Sequence, residues 1–366
     1  MASILFIGCS NRTPSHFPSS NGKGIEILLF DEASGNADHI GSEEGIDNPA
    51  FLAVSSDGRR LYAVSEVLGW NEGTITAYNI GSNGRLTYLN KQPTRGSVTA
   101  HVSLDKSDRF ALVANYSVGP MSARPNRAFA VFPCLADGLG PASAEAVHVG
   151  VGPNRARQER PHPHSIQTTP DNRFAVVADL GLDRLFVYRF DEQSGRTAAH
   201  REVNLPPGSG PRHFAFHPDL PFAYVANELA STVACFAFSA ETADFRLIDT
   251  VSTVPIGWSG ENLCSEITVC PAGQHLYVGN RGHDSIACFA IDAATGRVHL
   301  DHTTPCGGRT PRHFAFDPSG GYLLVANQNS DVVAVFAHDA ATGRLRPTGK
   351  HIATGTPTCI AFARAH

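Results

Sequence analysis

Short apolar runs of five to seven residues recur along the chain, rich in Val, Phe, Tyr and Ala and bounded by Gly, Pro, Asp and Asn. One series reads RLYAV, FALVAN, FAVVAD, FAYVAN, HLYVGN and YLLVAN. A second follows each of these after a short polar link: TITAYNI, AFAVFP, RLFVYRF, TVACFAF, SIACFAI and VVAVFAH. Such lengths, residue types and boundaries predict β-strands. No window sustains apolar residues at i, i+3, i+4 and i+7, so the pattern predicts an all-β chain.

The runs are periodic. Each unit begins at Pro49, Thr99, Pro163, Pro211, Cys264, Pro311 or Pro357, in steps of 50, 64, 48, 53, 47 and 46 residues. A first strand starts there. Turn signals follow eight to ten places on, at Asp57, Asp108, Asp171, Asp219, Ala272 and Ser319, and the two apolar runs come next. A weaker fourth strand follows turns such as ATGR at 294–297 and 341–344. Four short antiparallel strands per repeat is one blade of a β-propeller. The last unit holds only its first strand, TPTCIAF at 356–362. The N-terminus supplies what is missing: ILFIGCS at 4–10, GIEILLF at 24–30 and the stretch near His39. The sequence therefore predicts a seven-bladed propeller whose last blade is closed by the C-terminal strand pairing with N-terminal strands. Closure removes the exposed sheet edges, and residues 1–366 are expected to form a single domain.

Composition narrows the partners. Net charge is −5, charged residues make up 17%, and no long basic run occurs, which argues against nucleic acid. No stretch approaches the roughly 20 apolar residues that span a bilayer, so no membrane partner is expected. The start, MASILFIGCSN, lacks the basic region of a signal peptide. The eight cysteines are scattered without a CxxC pair, which suits buried thiols in a reducing cytoplasm. Nothing in the sequence sets an oligomeric state. The HPH at 162–164 has neither the spacing nor the companions of a zinc site, and no metal or other cofactor is expected.

The start of the first strand and the end of the second meet at one end of the central channel. Position one of the repeats carries His164, Arg212 and Arg312; position two carries His101, His213, Glu266 and His313; the place after the second strand carries Glu66, Glu228 and Arg281. Ionisable groups converging on one mouth mark the expected active site. His213 and His313 both stand in PRHFAF, and this repetition suggests packing residues. The long step of 64 marks two loops rich in Gly, Pro and Arg, at 117–127 and 150–163, expected on the functional face.

RQERPHPHS, DLGLDRLFVY, GSGPRHFAFHP, ANELAST and GNRGHDSI together resemble motifs of the seven-bladed lactonase family, which includes bacterial 6-phosphogluconolactonases and fungal carboxy-cis,cis-muconate cyclases. The likeness runs through nearly the whole chain. It implies a catalytic set of His164, Arg212, Glu228 and Arg281. His162, Arg312, Glu66 and Glu266 are the accompanying candidates for substrate binding. The expected reaction is hydrolysis of a small anionic sugar-acid lactone. His164 would be the base, Arg212 and Arg281 would hold the carbonyl oxygen or an anionic group, and Glu228 would orient these groups or act as the acid. Lactone formation from a muconate is the alternative on the same scaffold, and a non-enzymatic ligand- or protein-binding propeller the alternative outside enzymes. The loop SVGPMSARPNRA departs from the short link usual in the family.

Overall fold

A computed structural model describes residues 1–13, 17–117 and 126–364. The second-blade loop read from the sequence therefore lies mostly outside the described residues. The described residues form seven antiparallel sheets, and their only helical element is a single 3-10 turn at Gln328–Ser330. Six sheets run in sequence order from their first strands: Pro49–Val54, Thr99–Leu104, Pro163–Thr168, Pro211–Phe216, Leu263–Val269 and Pro311–Phe316. The seventh is composite. Pro357–Arg364 pairs with Ala2–Cys9, which pairs with Gly24–Asp31, which pairs with Asn36–Glu43. The register runs from Ser3 opposite Arg364 to Cys9 opposite Pro357, as the incomplete last repeat requires. Each first strand packs on the first strand of the next sheet, and Pro357–Arg364 touches both Pro311–Phe316 and Pro49–Val54, so the circle closes. This is a seven-bladed propeller.

The apolar runs are unbroken because each strand serves two interfaces. Side chains alternate across a strand. In Phe174–Asp179, Phe174, Val176 and Ala178 enter the core shared with the following blade, beside Phe214, Val225 and Phe236. Ala175 and Val177 enter the core shared with the preceding blade, beside Phe110, Leu112 and Phe129. The N-terminal strand does the same: Ile4 and Phe6 join Leu52, Leu61 and Tyr78, whereas Leu5 and Ile7 join Leu324, Val333 and Val335. Burial at about 25 cal/mol per Å² of apolar surface thus accrues between blades.

The fourth strand of the second blade is split into Gly138–Leu139 and Ala144–Ala146, and no strand follows until Pro163. The intervening segment is the second of the two long loops. At the turns after the first strands, Gly58, Asp108, Asn172, Gly273 and Gly320 all take positive φ, from 56° to 75°. Glycine, Asn and Asp reach this left-handed region most readily, which is why the turn signals fall where they do.

Candidate active site

Two devices aim the mouth residues. The first fixes the entry of the inner strand. Asp183 Oδ1 accepts from Gly210 N at 2.7 Å and Asp284 Oδ1 from Thr310 N at 2.8 Å, each just ahead of the Pro that opens the strand. Pro needs no hydrogen-bond partner for its nitrogen at a strand's first residue. The second device is a β-bulge. Pro211 pairs with Asn227 and His213 with Ala226, leaving Arg212 unmatched; Pro311 and His313 flank Arg312 in the same way, and Pro163 and Ser165 flank His164. A bulge re-aims the extra side chain. Arg212 and His213, neighbours in sequence, thereby lie together, with Nη1 of the guanidinium 3.3 Å from Nε2 of the imidazole.

At the mouth these groups surround a cavity of about 330 Å³, lined by Glu66, Tyr116, Arg157, Glu159, His162, His164, Glu228, Arg281, Arg312 and Gln328, with Phe17 at its edge. Glu228 is the hub. Its Oε1 accepts from Arg157 Nη2 at 2.6 Å, and its Oε2 lies 2.7 Å from Arg281 Nη2 and 3.1 Å from Arg212 Nε. Burial pushes the Glu228 carboxyl up, but Arg281, Arg212 and Arg157 outweigh it and hold the group at about 2. Arg281 Nη2 also donates to the Cys264 carbonyl at 2.8 Å. Arg312 donates to Glu66 Oε2 at 3.0 Å and lies over the Phe17 ring, 4.7 Å from its centroid. Four guanidiniums thus meet two carboxylates here, while Glu159 at the cavity edge is shared between Arg160 and His162.

His164 is buried, its Nδ1 has no hydrogen-bond partner among the described residues, and its ring meets the edge of Tyr116 at 5.5 Å. Burial first, then the Arg212 charge, pushes its pKa well below the ordinary value, so the imidazole is neutral at physiological pH. His162 lines the cavity but spends both ring nitrogens on the protein: Nδ1 on the Tyr116 carbonyl at 2.8 Å and Nε2 on Glu159 at 3.2 Å. Its ring stacks on Tyr116.

Three expectations need correction. Glu266 is not at the mouth. It faces the channel deeper in, within 3.0 Å of His213 Nδ1 and 3.3 Å of His313 Nε2, and lines a separate cavity of about 820 Å³ at the far end with Phe51 and His101. The bulge is the reason, since it separates position one at the mouth from position two below it. Arg212 is buried and does not line the cavity, because Glu228 and His213 occupy its guanidinium. Glu228 is no acid near neutral pH, because its arginines keep it ionised. His213 and His313, expected as packing, are hydrogen-bonding groups as well as ring contacts of Phe51.

Sequence reasoning also missed Arg157. It stands in the RQERPHPHS motif, on the loop that the 64-residue step flagged, and reaches Glu228 from there while its side chain stays 35% exposed. The loop's richness in arginine was the available signal. Among the described residues no group of three or more His, Cys, Asp or Glu side chains is placed to hold a metal ion.

A seven-bladed ring with a buried imidazole and an arginine–carboxylate cluster at one mouth defines a small-molecule propeller enzyme class. Residues 5–362 match the family described as "Lactonase, 7-bladed beta-propeller", and the chain belongs to that family. The 6-phosphogluconolactonase of Bacillus subtilis (strain 168) is 36% identical over 274 residues, covering 74% of this chain and 75% of the relative. The 6-phosphogluconolactonase of Formosa agariphila is 32% identical over 303 residues, covering 81% and 83%. Among solved structures, the periplasmic gluconolactonase of Pseudomonas aeruginosa superposes with a TM-score of 0.89 at 32% identity, covering 100% of both chains.

Proposed function

We propose that this lactonase hydrolyses a sugar-acid lactone carrying an anionic group, with 6-phosphoglucono-1,5-lactone the best fit. The observation behind this reading is the mouth cluster, in which four guanidiniums stand against two carboxylates around a neutral imidazole. A cavity of about 330 Å³ suits a single small ligand, at the low end for such sites. The relatives' names point the same way, although the Pseudomonas neighbour's name carries no phosphate.

Hydrolysis needs water delivered to the lactone carbonyl and a charge-stabilising site for the oxygen that becomes negative. His164 takes the proton of the attacking water. Arg281 and Arg312 face the developing oxyanion. Arg157, the most exposed of the set, receives the substrate's anionic group, for which a planar guanidinium is well shaped. As the ring C–O bond breaks, the proton held by His164 passes to the departing oxygen, and Glu228 keeps Arg157 and Arg281 in register throughout. Burial and the nearby cations weaken His164 as a base in the free enzyme. An anionic ligand beside those cations offsets their repulsion and raises the basicity of His164 on binding.

The eight unpaired cysteines, seven of them buried, support a cytoplasmic location, and subcellular fractionation checks it. The functional test is steady-state hydrolysis of phosphorylated and unphosphorylated gluconolactone, with carboxymuconate beside them. The phosphorylated lactone is expected to turn over fastest. His164→Gln should lower kcat by about 10²-fold, and Arg157→Ala should raise KM for the phosphorylated lactone alone. Faster turnover of carboxymuconate would move the protein to the cyclase branch. No reaction with any of the three leaves a binding propeller.

A further inference from the structure

Below the mouth, four side chains from three neighbouring blades form one line. Arg212 Nη1 lies 3.3 Å from His213 Nε2, His213 Nδ1 lies 3.0 Å from Glu266 Oε2, and His313 Nε2 lies 3.3 Å from that same oxygen. Backbone groups join the line at two points: Ile360 N donates to His313 Nδ1 at 3.2 Å, closing that end, and Ile267 N donates to Glu266 Oε1 at 3.1 Å.

These partners determine where the protons sit. A guanidinium only donates, so the His213 nitrogen facing it is the acceptor, and the proton of a neutral ring stands on Nδ1, pointing at Glu266. The backbone N–H facing His313 Nδ1 likewise leaves that ring's proton on Nε2, the nitrogen 3.3 Å from Glu266, though not aligned on it. Glu266 therefore receives one imidazole N–H and one amide N–H, both compatible with a carboxylate, while the His313 Nε2 stands 3.3 Å away. Glutamine cannot replace it. With its carbonyl toward His213 its NH2 meets Ile267 N–H, and turned around its NH2 meets the His213 N–H.

We propose that Glu266 is a positioning residue for lactone hydrolysis, holding Arg212 against Glu228 and beside His164 through a single tautomer of His213. The proposal builds on the mouth reading above. Arg212 Nε approaches Glu228 at 3.1 Å but has no aligned hydrogen-bond acceptor among the described residues, so the bond to His213 weighs heavily in its placement. The His213 ring also lies 5.1 Å from that of His164, so the line passes directly beneath the reacting imidazole. Loss of the Glu266 charge frees His213 to turn its proton toward Arg212, where two donors would oppose each other.

Two measurements test this. The first needs no substrate, so its outcome is independent of the catalytic reading. Imidazole 15N spectra of the intact protein at pH 7 are expected to show His213 neutral with its proton on Nδ1, and His313 neutral with its proton on Nε2. In Glu266→Gln the His213 pattern should change. A His213 proton on Nε2 in the wild type overturns the proposal. The second is a double-mutant cycle. Glu266→Gln alone should lower kcat/KM about tenfold or more, mainly through kcat, the scale for a group that orients a reactive side chain. In the Arg212→Ala background it should add nothing; the same loss in both backgrounds means that Glu266 does not act through Arg212. If the Gln variant does not fold, His213→Asn and His213→Phe decide. Asn offers one amide N–H to Glu266 and one carbonyl to Arg212, and is expected to keep most activity. Phe fills the space with neither and should lose the tenfold, so equal rates for the two overturn the proposal.

Discussion

The mouth and the layer beneath it use the same residue types to opposite ends. At the mouth, Glu228 is surrounded by three guanidiniums and stays ionised among cations. One residue further along the first strands, Glu266 is surrounded by two imidazoles. Burial drives those imidazoles toward the neutral form, His213 well below its ordinary pKa and His313 to about 4. The upper layer gathers charges of both signs around one cavity; the lower one sets a single carboxylate among neutral rings. A buried carboxylate can be satisfied by opposite charge or by neutral donors, and the two solutions do different work. Opposed charges set the field that a ligand meets. Neutral donors in fixed tautomers set geometry.

Both layers depend on ring closure, so the largest effect comes from deleting residues 355–366. This removes the strand that pairs with Ala2–Cys9 and exposes Leu5, Ile7, Leu28 and Phe30. The truncated chain is expected to aggregate or lose its far-UV dichroism. We also propose that the intact protein melts in one calorimetric transition, as one domain; a truncated protein with the wild-type melting profile would show that the blades stand without closure.

Next comes Glu228→Gln, which leaves Arg157, Arg212 and Arg281 crowded without their shared counter-charge. Breaking such a buried network costs about 3–5 kcal/mol. Both a marked fall in Tm and a loss of kcat/KM of about 10²-fold or more are expected. A normal Tm with lost activity would mean that the arginines relax onto other partners. Arg212→Ala should also destabilise, since that residue is buried rather than at the surface of the cavity.

The buried histidines of both layers are read through pH. His101, His164, His213 and His313 are all buried with pKa values pushed below the ordinary 6.5. Below pH 6.5 the unfolded chain takes up protons that the folded chain refuses. Folding stability is therefore full above pH 6.5 and falls as pH drops toward the folded values, about 4 for His313. Each ring contributes up to about 1.4 kcal/mol per pH unit across that window. Urea titrations at pH 7.5, 6.0 and 5.0 should show this decline, and replacing His101 by Phe should flatten it. Equal stability at the three pH values would mean that the rings take up protons in the folded state as readily as in the unfolded chain.

How much of this was legible beforehand follows from which contacts are periodic. Strand runs, turn positions and the complementary termini are properties of each repeat, so the blades and their closure could be read in order along the chain. The mouth residues were legible for the same reason: His164, Arg212 and Arg312 share one repeat position, and Glu66, Glu228 and Arg281 another. Equivalent positions in a ring must lie at equivalent heights. Depth within the channel was not legible. Spacing alone does not show that a bulge at Pro211/His213 puts two successive side chains into one channel, or that Glu266 drops to the layer below. Nor could it show Arg157, which reaches Glu228 from a loop 71 residues away in sequence with no counterpart in the repeat. The sequence by itself determined the blades, their order and the class of residue at each level, because those depend on local periodicity and burial. The tertiary structure alone decided which charges meet, because pairing across blades depends on distances of a few ångströms that no repeat encodes.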